Sequence, residues 1–215
     1  MNELLRMAKQ RGERGVSPVE AVLFDLDGTL VDTMPLHFSA YRDVLAELGV
    51  ALDFQAFMAA SGGAARETIP KLLGGVATDV SVEEIHRRKV VRATELFASL
   101  APTALPCSLL LPVFSALLPV ALVSSGSRRS VETTLSAMGW HHLFHAVVTG
   151  DDVVRSKPDP EGYLKGANLL GVDAAHCLVF EDMEDGVAAA RAAGMQVFDV
   201  RSALPAWRTQ MNGGA

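Results

Sequence analysis

Asp25-Leu26-Asp27-Gly28-Thr29 follows the strand-length run Val19 to Phe24, apolar but for Glu20, and places two carboxylates two positions apart where a strand ends. Side chains two apart in an extended segment lie on the same side, so Asp25 and Asp27 leave the sheet edge together and enter one space. Two such acids repel. They coexist when a cation lies between them, or when one holds a proton while the other stays ionised, and either arrangement serves catalysis.

Working outward, short apolar runs of strand length recur at Ala21 to Phe24, Val120 to Val123, Ala146 to Val148, Leu178 to Phe180 and Gln196 to Val200. Helical patterns separate them: Arg129 to Met138 before Gly139, Pro160 to Leu170 before Gly171, and Glu184 to Ala193 before Gly194. This alternation predicts an α/β fold, a parallel sheet with helices on both faces and ligands bound beyond the carboxyl ends of the strands. About ninety residues separate the first two strands, where a crossover needs about a dozen. They read as an all-helical insertion: Leu36 to Leu48, Asp53 to Ala60, Ala64 to Leu73 and Val82 to Leu100, with Ser81 and Glu84 as a capping box. The expected organisation is a lead-in at 1–18, a core formed by 19–34 and 106–215, and a helical cap at 35–105.

The net charge of −6 and the lack of a basic run argue against nucleic acid and anionic membranes, and favour a small metabolite as partner. The apolar stretch Leu109 to Val123 is interrupted by Pro112 and Pro119 and is short for a bilayer. Cys107 and Cys177 lack metal or disulfide spacing and fit a reducing compartment such as the cytoplasm.

Three further motifs sit where strands end. Ser124-Ser125-Gly126-Ser127 precedes a helix; its hydroxyls, backbone N–H groups and helix dipole suit an anion, and a helix cap at Ser127 is the plainer alternative. Lys157 lies in Ser156-Lys157-Pro158-Asp159-Pro160, where two prolines fix the backbone that carries its ammonium. Glu181-Asp182 leaves an apolar strand as a pair of hard oxygen donors of the kind magnesium takes.

Acid pair, serine, lysine and acid pair in this order resemble the four motifs of the haloacid dehalogenase superfamily, with a Rossmann-like core and an inserted cap. Asp32-Thr33 followed by His37 is similar to the branch of beta-phosphoglucomutase and small sugar-phosphate phosphatases. The runs His37 to Gly49 and Val197 to Arg201 look most like YqaB-type phosphatases acting on fructose 1-phosphate or 6-phosphogluconate. The resemblance implies an aspartyl-phosphate on Asp25, with Asp27 as general acid and base and a pKa nearer neutrality than that of Asp25. It implies Mg2+ held by Asp25, the backbone carbonyl of Asp27 and Asp182, with Glu181 in or near the shell. Ser124, Ser125, Gly126 and Lys157 would hold the phosphoryl oxygens, and Thr29 would orient Asp27 or stabilise the turn. Arg66 matches a cap arginine that grips the far end of the substrate, His37 would touch substrate or pack beneath the cap, and Gly62 stands where the mutase has a cap lysine.

The resemblance therefore implies a magnesium-dependent phosphatase of a small phosphorylated metabolite, monomeric or weakly dimeric. A phosphosugar mutase is the rival. A dehalogenase would lack Asp27, and a non-catalytic binding protein on this fold would be expected to lose Asp25, Asp27 or Lys157.

Overall fold

The computed structural model describes residues 18–61, 65–100 and 102–203. The lead-in before Pro18, and Gly62, lie outside them.

Strand β1 (Ala21–Phe24) is central in a five-stranded sheet with β4 (Val120–Val123), β5 (Ala146–Val148), β6 (Cys177–Glu181) and β7 (Gln196–Asp199), ordered β5-β4-β1-β6-β7 and parallel throughout. Alternate β1 residues feed opposite cores. Ala21 and Leu23 pack with Tyr163 and Ala167 of α7 (Glu161–Leu170) and Ala189 and Ala190 of α8 (Glu184–Ala192). Val22 and Phe24 pack with Leu111 of α5 (Leu111–Ser115), with Val131 and Leu135 of α6 (Arg128–Met138), and with Val200 of α9 (Val200–Ala203). Burial on both faces is why the strand reads as an unbroken apolar run. From β1 the chain builds to one side through β4 and β5, then crosses to the other through β6 and β7. That reversal opens a crevice at the carboxyl end of β1, where Asp25 emerges.

The insertion comprises α1 (Met34–Ala46), α2 (Phe54–Ala60), α3 (Ala65–Leu73) and α4 (Val82–Ser99). It has its own apolar cluster, in which Tyr41, Phe57, Ile69 and Ile85 meet. Asp53 and Ser81 cap α2 and α4 by accepting the N–H groups of Ala56 and Glu84. β2 (Val31–Asp32) and β3 (Thr103–Ala104) pair antiparallel and strap the entry of the insertion to its exit; two-residue strands are too short for periodicity to reveal.

The end of the last strand differs from the sequence reading for a local reason. β7 ends at Asp199 because its carboxylate accepts the Arg201 N–H and pairs with the Arg201 guanidinium, which turns the chain into α9. Pro112, which interrupts the apolar stretch Leu109 to Val123, follows a 3-10 turn at Pro106–Leu110 and sits in the first turn of α5, where no N–H is needed.

Leu23 is fully buried against both helices of its face. Leu23→Ala should cost about 2–5 kcal/mol, read as a lower urea midpoint with unchanged slope.

Candidate active site

Asp25 and Asp27 leave β1 into a cavity of about 400 Å³, walled by Ser125, Lys157, Glu181 and Asp182 from the sheet unit and by His37, Tyr41, Phe57 and Lys89 from the helices. Its size is typical of small-molecule sites. Gly28 makes the turn possible: its φ is +92°, and a Cβ there would fall on the Asp182 carboxylate.

Lys157 is fixed at three points, donating to Asp25 Oδ1 at 2.6 Å, Glu181 Oε1 at 2.7 Å and the Val123 carbonyl at 3.1 Å. The loop that carries it leads directly into α7. Ser124 donates to Asp27 Oδ2 at 3.3 Å and accepts the Gly126 N–H at 3.0 Å, so Gly126 serves the shape of the loop. Ser127 caps α6 by accepting the Ser130 N–H, which is the plainer reading of that position.

Thr29 does not orient Asp27. Its hydroxyl donates to Asp182 Oδ1 at 3.3 Å, and Thr33, ahead of α1, donates to Asp27 Oδ1 at 2.5 Å instead. His37 packs its ring on Phe97 beneath the cap, and its Nε2 lies 3.7 Å from Asp27 Oδ1. Arg66 is not brought to the cavity. It lies off the buried face of α3, formed by Thr68, Ile69 and Leu72, its side chain is 82% exposed, and it turns to Glu67. The cap cation is Lys89, with Nζ 3.1 Å from His37 Nδ1. Sequence reading passed over it because its neighbours Arg87 and Arg88 pair with Glu84 and make that stretch of α4 look like a solvated ionic face.

Five carboxylates, Asp25, Asp27, Glu181, Asp182 and Asp185, line the cavity against the two ammonium groups of Lys89 and Lys157. Asp25, Glu181 and Asp182 are buried and offer oxygen atoms within 4.8 Å of one another. Hard donors carrying excess negative charge fit a hard divalent cation.

The order of acidities is the reverse of the sequence expectation. Burial raises the Asp25 pKa well above the usual carboxylate range; Lys157 opposes the rise, and Glu181, Asp182 and Asp27 add to it. Burial also raises that of Asp27, but the approach of His37, the Thr33 hydroxyl and the Lys89 charge outweigh it and leave Asp27 low. Burial and Lys89 hold the His37 imidazole down, so it is neutral at pH 7 and can accept from Lys89 at Nδ1 while its Nε2–H faces Asp27. Burial brings Lys89 itself down to about 8.

Comparison with known proteins agrees with this geometry. Residues 19–194 match the family model described as haloacid dehalogenase-like hydrolase. The chain belongs to the haloacid dehalogenase-like hydrolases. Within the family it is 35% identical over 182 residues to the fructose-1-phosphate phosphatase YqaB of Escherichia coli K12, covering 84% of this chain and 95% of that one. It is 32% identical over 199 residues to the phosphorylated carbohydrates phosphatase of Thermotoga maritima, covering 92% of each. The crystal structure of CbbY from Rhodobacter sphaeroides in complex with phosphate superposes with a TM-score of 0.74 at 28% identity, covering 83% of this chain and 84% of that one. Among the described residues no helix is long and apolar enough to cross a membrane.

With its pKa brought down to about 8, Lys89 loses its charge as pH rises through that range. Affinity for an anion in the cavity should therefore fall as pH rises through about 8, and Lys89→Met should lose that break and raise KM about tenfold at pH 7, near 1.4 kcal/mol. Arg66→Ala should change KM by no more than about twofold. KM profiles on both sides of pH 8 check all three expectations.

Proposed function

We propose that the protein is a magnesium-dependent phosphatase of small phosphomonoesters, sugar phosphates foremost, acting through an aspartyl-phosphate on Asp25. The observation that carries this reading is Asp25 held 2.6 Å from Lys157, with Asp27 beside it, on the floor of a cavity roofed by the helical insertion. The substrate class is supported by the printed activities of the two phosphatase relatives.

The roles follow from position. His37, Thr33 and Lys89 hold the Asp27 pKa low, and the negative charge of the incoming phosphate raises it so that Asp27 takes up a proton from solvent; Asp25 then attacks phosphorus, and the bond to the leaving oxygen breaks as Asp27 gives that oxygen this proton. Asp27 then takes a proton from the water that hydrolyses the aspartyl-phosphate, which restores both acids. Thr33 and His37 keep the Asp27 carboxyl in place for both transfers, and Lys157 with the loop at Ser124 and Ser125 faces the phosphoryl oxygens. Asp25 attacks only when ionised, and its raised pKa calls for positive charge beyond Lys157. Asp25 and Asp182 would hold magnesium, which supplies that charge and screens the phosphoryl group from the nucleophile. The protein is read as a cytoplasmic monomer or weak dimer with no nucleic-acid or membrane partner.

Lys89 favours one second reading. A cap cation facing Asp27 could grip the distal phosphate of a bisphosphate, as a phosphosugar mutase requires, although a single lysine is a small provision for it.

Phosphate release from a panel of phosphorylated sugars should require magnesium and stop with excess EDTA; turnover that persists in EDTA would remove the metal assignment. Asp25→Asn should lower kcat by about three orders of magnitude or more while the fold survives. With beta-glucose 1-phosphate and a trace of bisphosphate, free phosphate should dominate, and stoichiometric glucose 6-phosphate would establish the mutase.

A further inference from the structure

Glu181 has no acceptor capacity left. A carboxylate has two oxygens and about four lone-pair sites. Oε1 accepts from Lys157 Nζ at 2.7 Å and from the Tyr163 hydroxyl at 3.0 Å. Oε2 accepts from the backbone N–H groups of Asp182 at 2.8 Å and Met183 at 2.9 Å. Four donors fill four sites. The carboxylate is also seated in a slot, since a Cβ at Gly186 would fall on it. A cation could bind Glu181 only by displacing one of these donors, and displacing the Tyr163 hydroxyl or the Asp182 N–H would leave that group buried and unpaired.

Tyr163 is the donor that nothing in the reaction requires. It is fully buried, and its phenol meets its need for a partner on Glu181. Its ring also lies 4.9 Å from the Lys157 ammonium, so one side chain braces both members of the ion pair. α7 brings it there by lying close against β1 and β4, where Gly166 faces Leu23 and Val123 with no room for a larger residue.

We propose that Glu181 is not a ligand of the divalent cation but the anchor that holds the Lys157 charge against Asp25, and that Tyr163 is the positioning residue that fixes this anchor. The proposal rests on the phosphatase reading for the role of Lys157, and it concerns which acids the cation meets and what keeps the lysine aimed. Asp25 and Asp182 carry the cation. Glu181 and Tyr163 carry the lysine.

The test uses the full chain and Mn2+ as the probe, with affinity measured by electron paramagnetic resonance of the free ion and a melting curve recorded for every variant. Asp182→Asn should weaken Mn2+ binding by about tenfold or more, whereas Glu181→Gln and Tyr163→Phe should stay within about threefold of the parent. Tyr163→Phe should raise the inhibition constant of inorganic phosphate and lower kcat, each about tenfold, with Mn2+ affinity kept; a purely structural tyrosine would leave the phosphate constant where it was. Loss of Mn2+ affinity in Glu181→Gln equal to that in Asp182→Asn overturns the assignment. Should Glu181→Gln fail to fold, Tyr163→Phe still decides: a ligating Glu181 stripped of the hydroxyl that orients it would lose Mn2+ affinity, and an anchoring one would not. A parent protein that binds Mn2+ yet hydrolyses no phosphomonoester would refute the phosphatase reading and leave the Mn2+ comparison intact.

Discussion

The contact on which the site depends is the ammonium of Lys157 wedged between Asp25 at 2.6 Å and Glu181 at 2.7 Å. Burying a carboxylate costs several kcal/mol unless charge and hydrogen bonds compensate it, and here three buried acids emerge from adjacent strands. Lys157 makes that convergence tolerable without neutralising it. Burial, with the residual negative charge of the other acids adding to it, keeps the Asp25 pKa high, and that charge gives the site its appetite for a cation. Stability and chemistry thus pull in opposite directions at one point, and the buried phenol and backbone N–H groups around Glu181 hold the compromise in place.

The fold exists around this point in a literal sense. β1 is the only strand of the sheet flanked by both halves of the topology, so the loops after β4 and β6 are necessarily its neighbours. The loop carrying Lys157, which leads into α7, reaches the same end. The insertion leaves the chain a few residues after Asp27 and returns through the β2–β3 strap, which sets Thr33 and His37 over the second acid. Proximity in sequence to Asp27 is what lets the helical unit contribute to its environment.

Much of this was legible in the residue order. Strands buried on both faces announce themselves as apolar runs, and the acids, serine and lysine were placed correctly because each stands at a strand end or in the loop beyond it. The cap was harder to read. Arg66 looked functional because it matches a cap arginine of the resembled branch, but helical phase turns it outward; Lys89 looked ordinary among arginines, and phase turns it inward. Thr29 and Thr33 are equally plausible partners for Asp27 on paper, and only the path of the turn through Gly28 assigns one to Asp182 and the other to Asp27. Tyr163 carried no signal, since a tyrosine at an inward helical position reads as core until its hydroxyl is seen to meet Glu181.

The claim that Asp25 is the atom donor to phosphorus can be tested directly by trapping. Asp27→Asn, mixed with an activated phosphate ester whose leaving group needs no proton and quenched in acid, should yield a phosphorylated peptide whose modified residue is Asp25 by tandem mass spectrometry. Phosphorylation of any other residue, or the absence of a phosphopeptide under conditions where the parent enzyme turns over the same ester, would contradict it.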